Sequence, residues 1–316
     1  SINLMLDAQE ALSINLSLSK KKDNEVISSE DIQYLINDAK QQILKFNPNI
    51  NIIHIIIKNY NVDNKEFTEP PIGIACNLFS IEFIFICFPK ILVKSLEDLF
   101  FKFQISVNKI LCSSYTKSLN YKEQFAKSEK IAFIDIGYEK TSIVIYYKNK
   151  LNSFNILPVG GNHITKDISV LLKIDINDAE IMKKSLNKSD TVFENKLDEN
   201  IKLKSPDFYK QIIHARVDEI IKLNLANEYF NSFFYQNDDS VLIFTGEGSK
   251  ILNKNSIFLE EKFDFFNEIS FFEEDSTSIC ESGFNFDKEK KFQEVSFQTK
   301  KSKNKGFFEK FFNFFN

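Results

Sequence analysis

Residues 130–161, KIAFIDIGYEKTSIVIYYKNKLNSFNILPVGG, constrain the fold more than any other stretch. IAFIDIG reads as a buried strand ending in Asp135 and Gly137. TSIVIYY alternates as a second strand, KNKL supplies a hairpin turn, and a third strand follows. NHITKDISVLLKI then opens one helix and INDAEIMKKSL another. Three strands on tight turns, followed by helices, belong to a mixed α/β fold. Further on, SVLIFTGEGSKIL (240–252) is an apolar strand running into a glycine turn.

The first hundred residues have their own alternation. SINLMLDA (1–8), ALSINLSLS (11–19) and NIIHIIIKNY read as strands. SSEDIQYLINDAKQQIL (28–44) opens on serine caps and early acids, with Ile32, Leu35, Ile36 and Ala39 at helical spacing. The most apolar run, LFSIEFIFICFPKILVKSL (78–96), contains Glu82, Pro89 and Lys90. A spanning helix needs about 20 clean apolar residues, so this run predicts a strand, a turn at Pro89 and an amphipathic helix.

Composition narrows the classes. The chain has 316 residues, room for two domains at about 150 each, and 43% apolar residues suit a sizeable core. A net charge of −4 does not describe a nucleic-acid binder. The absence of Trp beside abundant Phe, Ile, Lys and Asn reads as coding bias. Cys76, Cys87, Cys112 and Cys280 have no metal-ligand spacing, which points to a reducing compartment rather than to zinc or disulfides. With only His54, His163 and His214, no histidine triad or metal cage is expected. No leader pattern opens the chain, and Ser at position 1 fits a processed or incomplete start.

A strand-ending Asp before Gly is one way to hold a nucleotide. The carboxylate can face Mg²⁺ through water while turn N–H groups meet phosphate oxygens. Alone, DIG is more often an ordinary turn. Here DIG (135–137), PVGG (158–161), AEIMK (179–183) and TGEG (245–248) follow one another in order. That series resembles the FtsA family of actin-like ATPases. PVGGNHITKDI matches a family block at Gly160, Gly161, Thr165, Asp167 and Ile168. VISSEDI (26–32) and PPIGI (70–74) resemble blocks of the family's inserted domain, and HARVDEII (214–221) a helix near its nucleotide cleft.

The resemblance implies an actin-like, ribonuclease-H-type two-lobed α/β fold. Residues 1–10 and 106–130 would be the remainder of the first lobe, 11–105 a small inserted α/β domain and 131–273 the second lobe. It also implies ATP and Mg²⁺ as cofactors. Asp135 would face Mg²⁺ through water, and Gly137 with Thr141 would flank the phosphates. Gly160 and Gly161 would lie near the terminal phosphate, Glu180 and Lys183 near ribose and base, and Gly246 and Gly248 beside the nucleoside. Taken as residues alone, Glu180 and Lys183 are more commonly an exposed (i, i+3) pair, and the glycines plain turns. The chain departs from the family where Tyr138, Glu139 and Lys140 replace glycines, and where Glu247 makes TGEG of TGGG. Side chains there narrow the approach, and the added carboxylates repel an anion. The family's first phosphate hairpin, expected upstream of the inserted domain, is read as missing, since residue 1 already falls in the strand that should follow it. No catalytic residue is assigned, and at most weak ATPase activity is expected.

From about 274 the pattern becomes polar and lysine-rich, read as a disordered basic linker over 274–305. GFFEKFFNFFN (306–316) follows. On a helix at 100° per residue, Phe307, Phe308, Phe311, Phe312, Phe314 and Phe315 share one arc of about 160°. The segment is too short to span a bilayer and reads as an in-plane anchor, against the plainer alternative of a last helix docked on its own domain. Residues 288–316 carry eight Lys, with Lys301, Lys303 and Lys305 just before the stripe, against three Glu. A basic tail on an acidic body suits an anionic membrane surface. The resemblance implies the same anchor. It further implies FtsZ, later division proteins and self-association into filaments as partners, at the cytoplasmic face of the inner membrane at the division site, without nucleic acid. The FtsZ contact would fall within about 185–235. The competing expectations are a PilM-type pilus-assembly protein, an actin-fold small-molecule kinase, and a tail that docks in a partner's groove.

Overall fold

The first helix shows how local chemistry sets an element. Ser28 stands in extended backbone and its hydroxyl accepts from the Asp31 N–H at 3.2 Å. The Asp31 carboxylate returns to the Ser28 N–H at 2.9 Å, closing a capping box. Helix α1 (Ser29–Phe46) then buries Leu35, Ile36, Ala39 and Ile43, the face expected from their spacing. The computed structural model describes residues 1–185, 206–225, 233–234, 239–252, 263, 266–286 and 293–295.

Strand β1 (Ile2–Leu6) enters a long excursion before its partner appears. The excursion holds β2 (Leu12–Val26), α1, β3 (Ile50–Val62), β4 (Lys65–Phe67), β5 (Ala75–Pro89) and α2 (Lys90–Lys102). Its four strands form an antiparallel sheet in the order β2-β5-β3-β4. Asp63 and Asn64, both in left-handed backbone, make the two-residue turn between β3 and β4. The strand predicted to stop at Pro89 does so, with helix α2 beginning at the next residue. The chain then returns as β6 (Val107–Cys112), parallel to β1, and runs into α3 (Ser113–Tyr121).

The second sheet is built on β7 (Lys130–Ile136), β8 (Thr141–Tyr147) and β9 (Lys150–Leu157), antiparallel neighbours as their turns require. Helices α4 (Gly161–Leu172), α5 (Ile176–Ser185) and α6 (Pro206–Leu225) follow. β10 (Ser240–Thr245) then joins β7 in parallel, and β11 (Glu268–Phe271) joins β10. The order β11-β10-β7-β8-β9 places β7 centrally, with all seven of its residues buried.

Period-two alternation on β7 serves two cores. Ala132, Ile134 and Ile136 pack with α4, α5 and α6. Ile131 and Phe133 face the other way, into a core shared with Tyr115 of α3 and with Ile84, Ile86 and Phe88 of β5. The opposite face of β5, through Phe79, Ile81, Phe83 and Phe85, packs against α1. The excursion is therefore joined to the body through a common core.

The linker expectation for 274–305 needs correction within the described residues. Helix α7 (Ser276–Asn285) begins two residues after Glu274, capped by Asp275, whose carboxylate accepts from the Ser278 N–H at 2.7 Å. Phe286 is buried in the shared core. Residues 293–295 lie beside β3, with Ile57 N–H donating to Gln293 at 2.7 Å and Val295 N–H donating to Ile55 at 2.9 Å. Polar composition concealed this because serines and an aspartate satisfy the helix start while few apolar residues are needed to dock it.

Asp31 also receives Lys20 at 2.6 Å and Lys22 at 2.9 Å. The Lys20 hydrogen bond, ahead of the Ser28 and Lys22 contacts, holds its carboxyl far below the ordinary range, against desolvation. Its stabilising contribution is therefore present above the unfolded pKa and lost as pH falls toward the folded value. Asp31→Ala is expected to cost about 1–2 kcal/mol at neutral pH. The deficit relative to the parent chain should shrink below about pH 4, checked by urea unfolding across pH.

Candidate functional site

Asp135, Gly137, Thr141, Gly160, Gly161, Glu180, Lys183, Gly246 and Gly248 do converge, around the C-terminal ends of β7 and β10 and the start of α4. The alternation of β7 turns Asp135 toward α3, where the Lys117 ammonium meets its Oδ2 at 3.0 Å. The same ammonium lies 2.9 Å from Oε1 of Glu274 and donates to its Oε2 at 3.0 Å. Glu274 Oε2 also accepts the Gly246 N–H at 3.1 Å. Beside this group, the Lys140 ammonium reaches Asp7 Oδ1 at 2.9 Å and the Ser142 hydroxyl at 3.0 Å. Asp7 follows β1 and is further held by the Ser114 N–H at 3.2 Å.

Burial and charge oppose each other in these groups. Desolvation pulls the Lys117 pKa down, but Asp135 and then Glu274 overcome it and raise it well above the ordinary value. Lys140 is raised in the same way, chiefly by Asp7. Asp7 is lowered, the Lys140 charge prevailing over desolvation. Glu274 is raised, because desolvation outweighs the pull of Lys117 and Asp135 adds repulsion. Lysines with raised pKa stabilise the fold below the unfolded lysine pKa and lose that contribution only as pH climbs through the folded value. For Asp7 the loss comes on the acid side. The charges of Lys117, Lys140 and Asp7 thus support the fold across neutral pH, while the raised Glu274 works against it there.

The backbone around these side chains is closed as well. The turn after β7 is shut by the Gly137 N–H on the Lys140 carbonyl at 2.9 Å. Helix α4 starts against that turn: the Gly161 N–H donates to Gly137 O at 2.9 Å, and the Asn162 N–H to Tyr138 O at 2.7 Å. Two of the N–H groups that a helix start leaves free are therefore used. At Gly160 a Cβ would come within 2.6 Å of Gly137 O, 2.7 Å of Lys140 N and 2.8 Å of Tyr138 O. Gly246, at φ +83°, would bring one within 2.3 Å of Asp135 Oδ1. Gly248 lies against Ile136, and the Thr141 hydroxyl donates to Val159 O at 2.7 Å. These glycines serve contacts between loops.

Glu180 and Lys183 join each other at 2.5 Å across one turn of α5. Lys183 also donates to the Thr165 hydroxyl at 2.7 Å and Gly161 O at 3.0 Å, fixing α5 against the start of α4. Burial lowers the Lys183 pKa despite this pairing. Arg216 of α6 clamps Asp167 with two hydrogen bonds, at 2.6 and 2.9 Å. Phe307, Phe308, Phe311, Phe312, Phe314, Phe315, Lys301, Lys303 and Lys305 lie outside the described residues, as does much of 185–235.

A family model described as cell division protein FtsA matches residues 132–257, and one described as the SHS2 domain inserted in FtsA matches residues 9–87. The chain is an FtsA-like protein of the actin fold. Its sequence is 28% identical over 211 residues to cell division protein FtsA of Bacillus subtilis (strain 168), covering 64% of this chain and 47% of that one. The FtsA of Buchnera aphidicola subsp. Schizaphis graminum (strain Sg) is 25% identical over 183 residues, 54% of this chain and 43% of that one. The chain thus spans about half the length of the curated relatives it matches. In fold it overlaps a structure of the PilM-PilN type IV pilus biogenesis complex at a TM-score of 0.59 and 13% identity, covering 89% of this chain and 75% of that one.

The FtsA-like resemblance implied ATP with Mg²⁺, and the residues present do not fit that group as arranged. The Asp135 carboxylate is engaged by Lys117, the Gly161 and Asn162 N–H groups by the turn, and Glu180 and Lys183 by each other and by Thr165. Lys117, Asp7 and Glu274 were not legible as site residues, because the contacts that join them are distant in sequence. Only Lys140 stood out, as a departure from the family's glycines.

Lys117→Ala should leave Asp135 and Glu274 facing each other without their shared cation. A loss of about 3–5 kcal/mol is expected in urea unfolding. Gly160→Ala, forced against backbone on three sides, should cost about 1–3 kcal/mol by the same measurement.

Proposed function

We propose that this protein is a cell-division tether, linking FtsZ polymers to the cytoplasmic face of the membrane at the division site. The observation that carries the reading is that both FtsA models match one chain, body and inserted domain, in one order. The phenylalanine stripe at 307–315, with lysines before it, adds a means of attachment to anionic lipid. Among the described residues no helix is long and apolar enough to cross a membrane.

A short amphipathic helix binds reversibly, since interfacial rings are only partly buried. Self-association into filaments would align many copies and multiply the attachment through effective concentration. Filament and late-division contacts are assigned to the inserted domain, and FtsZ to the region of 185–235.

The decisive experiment is co-sedimentation of FtsZ with anionic liposomes, using the full chain and a chain ending at Lys305. FtsZ should pellet only with the full chain. If both chains pellet with lipid while FtsZ stays in solution, the tether reading fails and a PilM-type role takes precedence. If neither chain responds to anionic lipid, the tail is a ligand for a protein groove.

A further inference from the structure

We infer that the actin-type cleft of this protein is sealed by its own ammonium groups, which replace a bound metal–nucleotide in holding its loops together. Lys117 joins α3 to the end of β7 through Asp135, and to the segment after β11 through Glu274. Lys140 joins the turn after β7 to Asp7 at the end of β1. A cation bound among loops works the same way, as a shared positive charge satisfying carboxylates from separate elements. Here two lysines, with 6% exposure each, supply it from within the chain.

Three further observations exclude a polyphosphate from the same place. First, the backbone donors that would meet it are engaged: Gly137, Gly161 and Asn162 N–H each donate to a carbonyl of the adjoining turns. Second, the loops already touch, with Gly160 packed on the 137–140 backbone and Gly246 on Asp135. Third, the local charge has the wrong sign. Asp7, Asp135 and Glu274 outnumber Lys117 and Lys140, and Glu139 stands on the neighbouring turn, while Glu247 is paired with Lys250. An anion entering such a cluster meets net repulsion in a medium that screens it poorly.

The ammonium groups could serve as phosphate ligands only if released from their carboxylates. That would leave Asp135 and Glu274 buried and unpaired, at a large cost. The sealed cleft is therefore the arrangement of lower energy without ligand, and the body keeps one conformation whatever the nucleotide state of the cell. This goes beyond the tether reading and does not rest on it.

The test is thermal unfolding and calorimetric titration of the 316-residue chain with Mg-ATP, Mg-ADP and Mg²⁺ alone. All three should leave the midpoint unchanged and give no saturating heat. A rise of several degrees, which a ligand at roughly 100 times its dissociation constant produces, overturns the inference. In Lys117→Ala the midpoint should fall, and millimolar Mg²⁺ or Mn²⁺ should restore part of the loss by taking the place of the ammonium. No recovery by either ion in a folded variant rejects the claim that Lys117 acts as a built-in cation. If that variant does not fold, the titration of the unaltered chain still decides: saturable Mg-ATP binding refutes the sealed cleft, and its absence upholds it.

Discussion

The structure depends on β7 being a strand with no exposed face. All seven residues of Lys130–Ile136 are buried, so each side of the strand must be covered by a separate layer. One layer is α4, α5 and α6; the other is α3 together with the sheet of the inserted domain. Burying apolar area on both sides, at roughly 25 cal/mol per Å², makes β7 the element to which the others are referenced. The same alternation carries Asp135 into the side lined by α3. A carboxylate there is tolerable only with a partner, and Lys117 is that partner.

This pairing ties β1, β6 and α3 to the five-stranded sheet. β1, β6 and α3 form only a two-stranded sheet and a short helix, too little to bury a core alone. They gain one by sharing apolar surface with β7, β8 and β5. Helix α3 is buried on nearly all sides although it carries Ser114, Thr116, Lys117 and Ser118. Three of these side chains find partners across the fold: Ser118 meets the Tyr146 hydroxyl at 2.8 Å, Ser114 the Ser142 hydroxyl at 3.1 Å, and Lys117 the Asp135 carboxylate at 3.0 Å. The polar side chains of α3 thus bind the layers together where an apolar helix would have relied on packing alone.

In this arrangement the FtsA-like body is held together by its own ion pairs, Lys117 with Asp135 and Glu274 and Lys140 with Asp7. The family blocks at 158–168 and 179–183 then read as packing devices: Asp167 is clamped by Arg216, and Thr165 and Lys183 join α4 to α5.

The sequence by itself determined the elements and their order. Alternation set β7, β8 and β9, Ser28 and Asp31 set the start of α1, and Pro89 set the change from strand to helix. These are local properties, decided by side chains within one turn or one hairpin of each other. The motif order also sufficed to indicate the family and its insert. Only the tertiary structure decided what the motif residues do. Lys117 meets Asp135 across 18 residues and Glu274 across 157, and Lys140 meets Asp7 across 133. Whether a glycine faces a ligand or a neighbouring loop, and whether a carboxylate is free or paired, depends on such distant contacts. The helix at 276–285 escaped the sequence reading for a related reason: its cap is local, but the burial that gives it a place comes from α3 and the shared core.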